Sequence, residues 1–341
     1  MMKKFKIIGL IFILSLSLLA GCSSTESKQE SVKATTKSEN VTVNIGIQQL
    51  IGPLLLAKNK GWFEEGFAKV GAKVTWAEFQ SGPPHFEAMA SDRLDFGQVG
   101  NSPVISAQAA DIDFKEINTI SKGLKGNAIL VQKNSPIKNI KDLKGKKIAV
   151  AKGSSAFNLL YRAIDQAGLK PDDIEIIQLQ PDEAQPAFET GSVDAWAIWD
   201  PFVSLQQINH DARVLADGDT LKVVSPSFTI VRGEFADEHP ELVVEFLKIY
   251  EKALKYQNEH TDEAIKIYAK EKKIDPEVVK QVLKNSVAIN VPVDEKIVEA
   301  QQDTADFQYS LKAINKKINV SKVADNTFIN KALKELEKEN K

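Results

Sequence analysis

The sequence contains few of the residues that disulfides, structural metal sites and nucleic-acid binding require. Among its 341 residues there is 1 cysteine, so no disulfide can form within the chain. One cysteine and 4 histidines are also a poor basis for a structural zinc site, which commonly draws four such ligands from close spacings. The 46 acidic and 44 basic side chains give a net charge of −2, without the basic excess typical of nucleic-acid-binding proteins. We therefore expect no metal, no cofactor and no nucleic-acid partner.

The sequence motifs of common enzyme classes are missing as well. There is no GxSxG, HExxH, Walker or GxGxxG pattern, and each of these patterns would place a nucleophile, a zinc site or a phosphate. Asp182 and Glu183 are better interpreted as the start of a helix than as a pair of catalytic carboxylates. We therefore predict that the protein is not an enzyme. The histidines occur in unrelated contexts and are each expected at the surface or in a turn, at positions His85, His210, His239 and His260.

Residues 1–21 have the parts of a bacterial export signal. Three lysines precede an apolar segment at residues 7–19, which is shorter than the roughly 20 residues of a membrane-spanning helix and typical of a signal peptide. The segment Leu19-Ala-Gly-Cys22 follows and resembles the lipobox, where a peptidase cuts before a cysteine that carries diacylglycerol. We therefore predict a signal peptide at residues 1–21 and a lipid anchor on Cys22, with more than one acyl chain for stable attachment.

Residues 22–40 are mostly polar, with Val32 as the one aliphatic side chain larger than alanine. Such a segment buries too little apolar surface to offset the entropy of ordering, so we predict a flexible tether. No second apolar run long enough to span a membrane follows it. The protein is therefore expected outside the cytoplasm, held at the outer face of the cell membrane without crossing it. The many lysines and the short signal favour a Gram-positive source.

From Val41 onward, strand-like and helix-like patterns alternate, and the same order of patterns occurs twice. In the two copies, Leu94-Asp95 corresponds to Val193-Asp194, and Gly100-Asn-Ser-Pro103 corresponds to Trp199-Asp-Pro201. Alternating strands and helices are typical of parallel sheets with helices on their faces. We therefore predict an α/β fold with two similar lobes.

Two apolar, strand-like segments occur where the chain leaves each copy, at residues 128–132 and 228–232. We expect the chain to cross between the lobes at each of them. After Pro240 the pattern is helical, with an apolar stripe that begins at Leu242, and these helices are expected to pack on the first lobe. The predicted bounds are residues 41–127 for the first part of lobe 1, 128–227 for lobe 2, and 228–341 for the completion of lobe 1 and the C-terminal helices.

Polar turns that follow a predicted strand and begin a predicted helix are the strongest candidates for a binding site. In an open α/β sheet such turns lie at the carboxyl ends of the strands, where ligands bind. Backbone N–H groups at helix starts also attract anions, although each turn taken alone is more simply explained by helix capping. The candidate ligand-binding residues in and beside these turns are Gln48, Gly52, Ser81, Gly82, Pro83, Gly100, Asn101, Ser102, Ser154, Ser155 and Asn158.

An aromatic cluster surrounds Asp200 near the end of a predicted strand. Trp196, Trp199 and Phe202 fit a core strand followed by a capped helix, but they also fit an apolar wall for the carbon chain of a ligand. Both interpretations stay open, and so does the choice between Trp196 and Trp199. Asp200 is the acidic member of the cluster and joins the candidate ligand-binding residues.

Several of these stretches together resemble a known family. They resemble ABC-transporter substrate-binding proteins of the sulfonate/taurine/nitrate group and, within it, the aliphatic sulfonate-binding proteins. The resemblance spans about residues 41–310, and it departs from the family pattern at the bulky pair Leu50-Ile51, which leaves the size of the pocket open. The matching stretches include Ile45-Gly-Ile-Gln48 and Phe79-Gln-Ser-Gly-Pro83, and the most specific are Lys152-Gly-Ser-Ser155, Asn158-Leu-Leu160 and Ala195-Trp-Ala-Ile-Trp-Asp-Pro201.

The resemblance implies a two-lobe fold of the periplasmic-binding-protein type II, in which each lobe is a mixed, mostly parallel sheet flanked by helices. Two crossover strands join the lobes, and the C-terminal helices pack on lobe 1. The resemblance further implies a monomer that binds an aliphatic sulfonate between the lobes and delivers it to an ABC permease and its ATPase. The alternative ligands are taurine, nitrate, a sulfate ester or a pyrimidine precursor. Taurine would need an acidic partner for its amine, for which Asp200 and Asp95 are candidates.

Two other classes of function remain open from the sequence. The same two-lobe fold occurs in some enzymes, so a small-molecule lyase is one alternative, and a surface sensor or adhesin without a transporter is another. A lipid anchor and the lack of a recognisable base or nucleophile argue against the lyase. Neighbouring permease and ATPase genes would distinguish a transporter component from a sensor.

Overall fold

The computed structural model describes residues 41–339 of the chain. The predicted signal peptide, the predicted lipid-anchor site Cys22 and the predicted tether lie outside the described residues. Within residues 41–339, no helix is both long enough and apolar enough to cross a membrane. This part of the chain contains two five-stranded sheets with helices packed on their faces.

Sheet 1 has the strand order second, first, third, tenth and fourth along the chain. Four of its strands are parallel to one another, and the tenth is antiparallel to both of its neighbours. The alternation of apolar residues in the first strand places Val43, Ile45 and Ile47 in the core, as a half-buried strand requires. The strands are β1 (Val41–Ile47), β2 (Ala72–Glu78), β3 (Phe96–Gly100), β4 (Phe114–Ser121) and β10 (Ser227–Arg232).

Sheet 2 repeats this arrangement with the order seventh, sixth, eighth, fifth and ninth. Its fifth strand is antiparallel to both neighbours, as the tenth is in sheet 1. The predicted crossover segments are therefore the single antiparallel strand of each sheet, and the prediction of mixed, mostly parallel sheets is confirmed. The strands are β5 (Asn127–Val131), β6 (Lys147–Val150), β7 (Glu175–Gln178), β8 (Ala195–Trp199) and β9 (Arg213–Asp217).

The repeat extends to the two aspartates that correspond in the sequence. Asp95 accepts a hydrogen bond from the N–H of Asn44 at 2.8 Å, and its own N–H donates to the carbonyl oxygen of Asn44 at 2.9 Å. Asp194 makes the same two contacts with Lys147, at 2.9 and 2.8 Å. Each aspartate therefore ties the chain entering its strand to the neighbouring strand, far from the strands' carboxyl ends.

Helices connect the strands of both sheets, and we call each sheet with the helices on it a lobe. Lobe 1 carries α1 (Pro53–Asn59), α2 (Trp62–Lys69), α3 (Pro83–Met89) and α4 (Asn101–Ala109). Lobe 2 carries α5 (Ser155–Gln166), α6 (Pro181–Glu189), α7 (Phe202–His210) and α8 (Gly218–Leu221). Short 3-10 turns lie at Ile140–Leu143, Pro171–Asp173 and Val320–Val323. The C-terminal helices are α9 (Gly233–Glu238), α10 (Pro240–Glu259), α11 (Thr261–Lys272), α12 (Pro276–Asn285), α13 (Glu295–Ser310) and α14 (Thr327–Glu339).

Local sequence explains where several of these helices begin and end. Proline stands in the first turn of α1, α3 and α10, where its missing N–H has no cost. Asp275 and Asp294 cap α12 and α13 through their side chains. Gly168, with a φ of 75°, follows α5 and allows the left-handed turn that ends it.

The C-terminal helices complete the core of lobe 1, as the sequence predicts. α10 packs on α1 and α2, α11 packs on α1, and α13 packs on α4. The apolar stripe of α10 includes Phe246 and Leu247, both fully buried in the same core cluster as Phe63 of α2. α12 is different because it packs on α7 of lobe 2 as well as on α11. The C-terminal segment therefore contacts both lobes.

Candidate functional site

A cavity of about 140 Å³ lies between the two sheets. The carboxyl ends of β3 and β8 reach it with Gly100 and Trp199, and the first residues of the two crossover strands lie beside them. Gly100 pairs with Ser227 of β10, and Trp199 pairs with Asn127 of β5. Corresponding positions of the two lobes therefore form opposite walls of one cavity, at the strand ends where open α/β sheets bind ligands.

The first turns of α4 and α5 meet beside this cavity. A Cβ added at Gly100 would lie 2.1 Å from Oγ of Ser155, and the Ser155 hydroxyl donates to Oδ1 of Asn101 at 3.3 Å. Each helix start carries the equivalent of about half a positive charge, so two starts that meet beside one cavity favour an anion there. None of the described residues that line the cavity is lysine, arginine or histidine. Backbone dipoles are therefore the main positive charge available to a ligand there.

The caps of these helices differ, and the difference decides which backbone donors a ligand can reach. Ser154 caps α5 because its Oγ accepts from the N–H of Phe157 at 3.1 Å. No side chain caps α4, whose N-cap is Gly100, nor α1 and α3, whose N-caps are Gly52 and Gly82. Simple side-chain capping therefore explains Ser154 but not the three glycine turns.

Apolar side chains make up much of the cavity lining. The bulky turn residues Leu50 and Ile51 are among them, and Trp199 contributes from lobe 2. The cavity volume is similar to the roughly 150 Å³ of an engineered protein cavity that binds benzene, so a molecule of about six heavy atoms fits the space. The apolar lining residues are Ile47, Leu50, Ile51, Pro53, Leu54, Leu55, Val99, Pro103, Ile120, Trp199, Tyr250 and Ala288.

Asp200 is the one acidic residue among the described lining residues. Its side chain is held at both oxygens: Oδ1 accepts from the hydroxyl of Ser204 at 2.6 Å and from its N–H at 3.0 Å, and Oδ2 accepts from Nδ2 of Asn285 at 3.1 Å. Burial raises the pKa of Asp200 to about 6, and these hydrogen bonds oppose the rise. The cavity therefore contains a carboxyl group that changes charge near neutral pH.

Gln48 and Gln98 add amide groups at the lobe 1 wall. Nε2 of Gln48 donates to the carbonyl oxygen of Gln98 at 2.8 Å, which fixes the orientation of the Gln48 side chain. Nε2 of Gln98 lies 3.4 Å from the hydroxyl of Thr229. The wall therefore has ordered polar groups beside its apolar side chains.

The structure brings eight of the predicted ligand-binding residues to the cavity. They come from both lobes, and they include glycines and serines that lie at helix starts. These residues are Gln48, Gly52, Gly82, Gly100, Ser154, Ser155, Trp199 and Asp200.

Six other predicted residues lie outside the lining. Asn101 and Ser102 face α13, and Trp196 is fully buried between Phe188 and Phe202. Trp199 is therefore the tryptophan that lines the cavity. The other three are Ser81, Pro83 and Asn158, of which Ser81 and Asn158 are buried without a side-chain hydrogen bond among the described residues.

Two expectations from the sequence are wrong. His85 is not at the surface: it is fully buried and fills the space left by Gly46 and Gly97, and its ring lies at a tilt against that of Phe79, with the ring centroids 4.2 Å apart. Burial lowers the pKa of His85 to about 4. Asp95 is not available to a taurine amine, because Asn44 and Arg232 use its carboxylate outside the cavity lining.

Several lining residues were not predicted from the sequence. Asn127 and Ser227 are the first residues of the two crossover strands. The sequence repeat could have marked them, because they occupy corresponding positions in the two lobes. Tyr250, Ser286 and Ala288 come from the C-terminal helices and the segment after α12. No local pattern marks these three, because the fold of a distant segment brings them to the cavity.

Comparison with known proteins supplies the family. The profile of the family described as NMT1/THI5 like matches residues 48–264. The chain belongs to this family. It is 55% identical over 328 residues, 96% of this chain and 97% of the relative, to a Bacillus subtilis (strain 168) protein named "Putative aliphatic sulfonates-binding protein". An Escherichia coli (strain K12) protein of the same name is 35% identical over 285 residues, 83% of this chain and 88% of the relative.

A solved structure gives the same family relationship in three dimensions. The alkanesulfonate-binding protein SsuA from Xanthomonas axonopodis pv. citri, solved bound to MOPS, superimposes with a TM-score of 0.79 at 34% identity. The match covers 84% of this chain and 98% of that chain. Among the described residues of this NMT1/THI5-like protein, no group of three or more His, Cys, Asp or Glu side chains is placed to hold a metal ion.

Proposed function

We propose that the protein binds aliphatic sulfonates in the cavity between its lobes, as the solute-binding component of an ABC importer. It is a binding protein and not an enzyme. The observation that carries this function is the meeting of two helix starts, α4 and α5, at a small cavity with many apolar lining residues. The helix starts suit an anion, and the apolar lining suits a short carbon chain. The names of the two relatives and of the solved structure support the same ligand class.

The lining residues take distinct roles in this proposal. Gly100 and Ser155 bring the two helix starts together, and Gln48 and Gln98 supply amide groups to the sulfonate oxygens. Trp199 covers the carbon chain. Nitrate is a poorer ligand because it has no apolar part to use the wall of Leu, Ile and Trp side chains.

A ligand panel tests the proposed class. Thermal-shift assays and calorimetry would use ethane- to hexanesulfonate, taurine, nitrate and a pyrimidine. A ligand at 100 times its Kd stabilises the folded protein by about 2.7 kcal/mol, which a melting curve detects. We expect ethanesulfonate and its near neighbours to bind, because the cavity volume suits about six heavy atoms. A clear response to another compound without a response to any sulfonate would overturn the assignment.

Taurine is the second candidate, because Asp200 places a carboxylate in the cavity. An ionised Asp200 would attract the amine of taurine, whereas it would repel a simple alkanesulfonate. Asp200→Asn separates the two ligands, since it removes the charge and keeps the shape. If taurine is the ligand, the variant loses affinity for it; if alkanesulfonates are, the variant binds ethanesulfonate at least as well as the wild type.

We further propose that the protein acts as a monomer and delivers its ligand to a membrane permease driven by an ATPase. The chain crosses between the lobes twice, which suits two lobes that close on a ligand. The lobe bounds follow as 41–127 with 228–341 for lobe 1 and 128–227 for lobe 2. Light scattering of the ligand-bound protein tests the monomer, and vesicles containing the permease and ATPase would import sulfonate only when this protein is present.

The proposed location is outside the cytoplasm, on the outer face of the membrane of a Gram-positive bacterium. The lipid on Cys22 and the residue 22–40 tether carry this part of the proposal, and both come from the sequence. Labelling of growing cells with an alkyne-tagged fatty acid tests it, because the wild type should carry the label and Cys22→Ala should not. A wild type without the label would argue against the lipid anchor.

A further inference from the structure

One face of helix α13 contacts the start of α4, which lies in lobe 1 beside the cavity. Nδ2 of Asn101 donates to the hydroxyl of Thr304 at 3.2 Å, and Nε2 of Gln308 donates to the hydroxyl of Ser102 at 2.5 Å. Asn101 and Ser102 are the first two residues of α4, and all four side chains are buried. α13 therefore fixes the start of α4, which borders the cavity.

The same helix holds α5 of lobe 2 with a different set of residues. One guanidinium nitrogen of Arg162 donates to the carbonyl oxygen of Asp303 at 2.8 Å and to its carboxylate at 2.6 Å. The guanidinium carbon lies 3.9 Å from the ring centre of Phe307, within cation–π distance. The Arg162 side chain is only 16% exposed. The Asp303 side chain is 72% exposed, so the ion pair alone contributes little, and the contact of the guanidinium with Phe307 contributes most of this link between the lobes.

α5 links this contact to the cavity. Its first residue is Ser155, which contacts the start of α4, and Arg162 lies two turns further along the same helix. Two turns of a rigid helix span about 11 Å, so the position of Arg162 controls the position of the helix start. α13 thus holds the two helix starts at a set distance from one another, one directly and one through Arg162.

We propose that Arg162 is a positioning residue for ligand binding, which sets the spacing of the α4 and α5 starts through its contact with Asp303 and Phe307. The proposal rests on the proposed function, because it assumes that an anion binds between these starts. Arg162 does not line the cavity, so its effect on affinity is indirect. Helices α7 and α12 form a second contact between the lobes, which includes the bond from Asn285 to Asp200. Asp200 lines the cavity, so a substitution at that contact would change the binding site directly.

The test compares Arg162→Ala, Arg162→Lys and a matched control, Arg213→Ala. Arg213 donates to the carbonyl oxygens of Lys133, Ser135 and Ile137, all within lobe 2, so its loss costs stability without altering the contact between lobes. Calorimetry with ethanesulfonate should show about ten-fold weaker binding for Arg162→Ala, from the loss of an ion pair and a cation–π contact. Arg162→Lys keeps the ion pair and should recover part of the affinity.

Small-angle scattering supplies a readout that a merely structural role would not change. In a titration with ethanesulfonate, the wild type and Arg213→Ala should reach half of their contraction at the same ligand concentration, and Arg162→Ala should need about ten times more ligand for the same contraction. Equal affinities for Arg162→Ala and the wild type would overturn the proposal, as would an equal loss in Arg213→Ala. If Arg162→Ala does not fold, Phe307→Leu removes the aromatic partner from the other side and should weaken binding in the same direction; an unchanged affinity would overturn the proposal. Failure of the wild type to bind any sulfonate would instead overturn the proposed function.

Discussion

The two lobes share one strand arrangement but fill corresponding positions differently. In lobe 1, Ile230 of the antiparallel strand pairs with Gly97; in lobe 2, Leu130 of the antiparallel strand pairs with Trp196. The Gly97 position has no side chain, and the ring of His85 from α3 covers it, with Cδ2 2.5 Å from where a Cβ would lie. In lobe 2 the strand itself supplies the bulk as Trp196. A helix residue in one lobe therefore does the packing that a strand residue does in the other.

The other neighbours of the antiparallel strands, β4 in lobe 1 and β9 in lobe 2, also carry different side chains at corresponding positions. Ile230 also pairs with Glu116, and Leu130 also pairs with Val214. Glu116 is buried and accepts a hydrogen bond from Nε2 of Gln301 at 2.6 Å. Val214 needs no such partner. Lobe 1 thus has two buried titratable groups, His85 and Glu116, where lobe 2 has apolar side chains.

A repeated backbone therefore does not impose repeated side-chain roles. The extra C-terminal helices supply polar partners such as Gln301 to lobe 1, so a carboxyl group can be tolerated there. Lobe 2 lacks these helices over the corresponding strand, and an apolar side chain is the simpler solution. We therefore expect His85 and Glu116 to give lobe 1 a pH dependence of stability that the corresponding positions of lobe 2 do not give.

The largest effect is expected for Glu116→Gln. Burial raises the pKa of Glu116 to about 8, so the folded chain keeps a proton that the unfolded chain releases above its ordinary pKa. The contribution of Glu116 to stability therefore falls as pH rises from about 4.5 to about 8. Gln avoids this loss and should stabilise the protein by up to about 3 kcal/mol at pH 7, with little difference at pH 4.5. Urea unfolding at the two pH values measures it.

The control for this variant is Glu175→Gln, on an exposed position of β7 in lobe 2. It removes the same charge without any burial, so its effect should be small at both pH values. Equal unfolding free energies for Glu116→Gln and the wild type at pH 7 would mean that Glu116 is ionised in the folded protein. The contrast with Val214 would then have no consequence for stability.

The next largest effect is expected for Gly100→Ala, which tests the other corresponding pair, Gly100 and Trp199. Lobe 2 accepts a tryptophan at its strand end, but in lobe 1 a single methyl group would lie 2.1 Å from Oγ of Ser155. Either the Ser155 hydroxyl would rotate away and lose its bond to Asn101, or the α4 and α5 starts would separate. Overpacking of this kind costs about 1–3 kcal/mol, so we expect the affinity for ethanesulfonate to fall by up to about 100-fold, measured by calorimetry.

Gly66→Ala is the matched control for Gly100→Ala. Its added methyl group would lie 2.5 Å from Cδ1 of Ile249, a similar crowding but within lobe 1 and away from the cavity lining. The melting temperature of Gly66→Ala should change while its affinity stays the same. If both variants lost affinity equally, crowding in general rather than the spacing of the helix starts would be the cause.

Much of the architecture could be predicted from the sequence, because strand and helix periodicity and the two corresponding aspartates are local signals. Asp95 and Asp194 make the same contacts in both lobes, so the repeat that linked them in the sequence carries structural information. The mixed sheets and the crossover strands follow from the order of these patterns. The packing of α12 on α7 could not be predicted, since the apolar pattern of α12 does not indicate that it contacts lobe 2 as well as α11.

The candidate site was predictable where it depends on turns and not where it depends on distant packing. Gly100 and Ser155 follow strands and begin helices, and they reach the cavity. Asn101 begins the same helix, yet its side chain contacts Thr304, which lies far along the sequence. His85 was expected at the surface because the glycines that make room for it lie on two other strands. Such contacts have no local signature.

A smaller effect is expected at acidic pH from His85. Burial lowers the pKa of His85 to about 4, so the unfolded chain binds a proton that the folded chain refuses below about pH 6.5. The contribution of His85 is complete above that pH and is lost as pH falls, by about 2 kcal/mol at pH 5. His85→Leu should therefore lose less stability than the wild type between pH 7 and pH 5. A parallel loss in both proteins would show that His85 is accessible to protons in the folded state.

The smallest effect is expected at the cavity, where lobe 2 contributes its own titratable group. Burial raises the pKa of Asp200 to about 6, so its charge appears as pH rises through that value. An ionised Asp200 opposes a bound sulfonate, and we expect the affinity for ethanesulfonate to fall up to about ten-fold between pH 5 and pH 7. Asp200→Asn should bind with the same affinity at both pH values. A pH dependence that persists in Asp200→Asn would place its origin in another group, and a pH-independent wild type would mean that Asp200 keeps one charge state throughout. Because stability and affinity are measured separately, this result also distinguishes the titration of the cavity from that of the lobe 1 core.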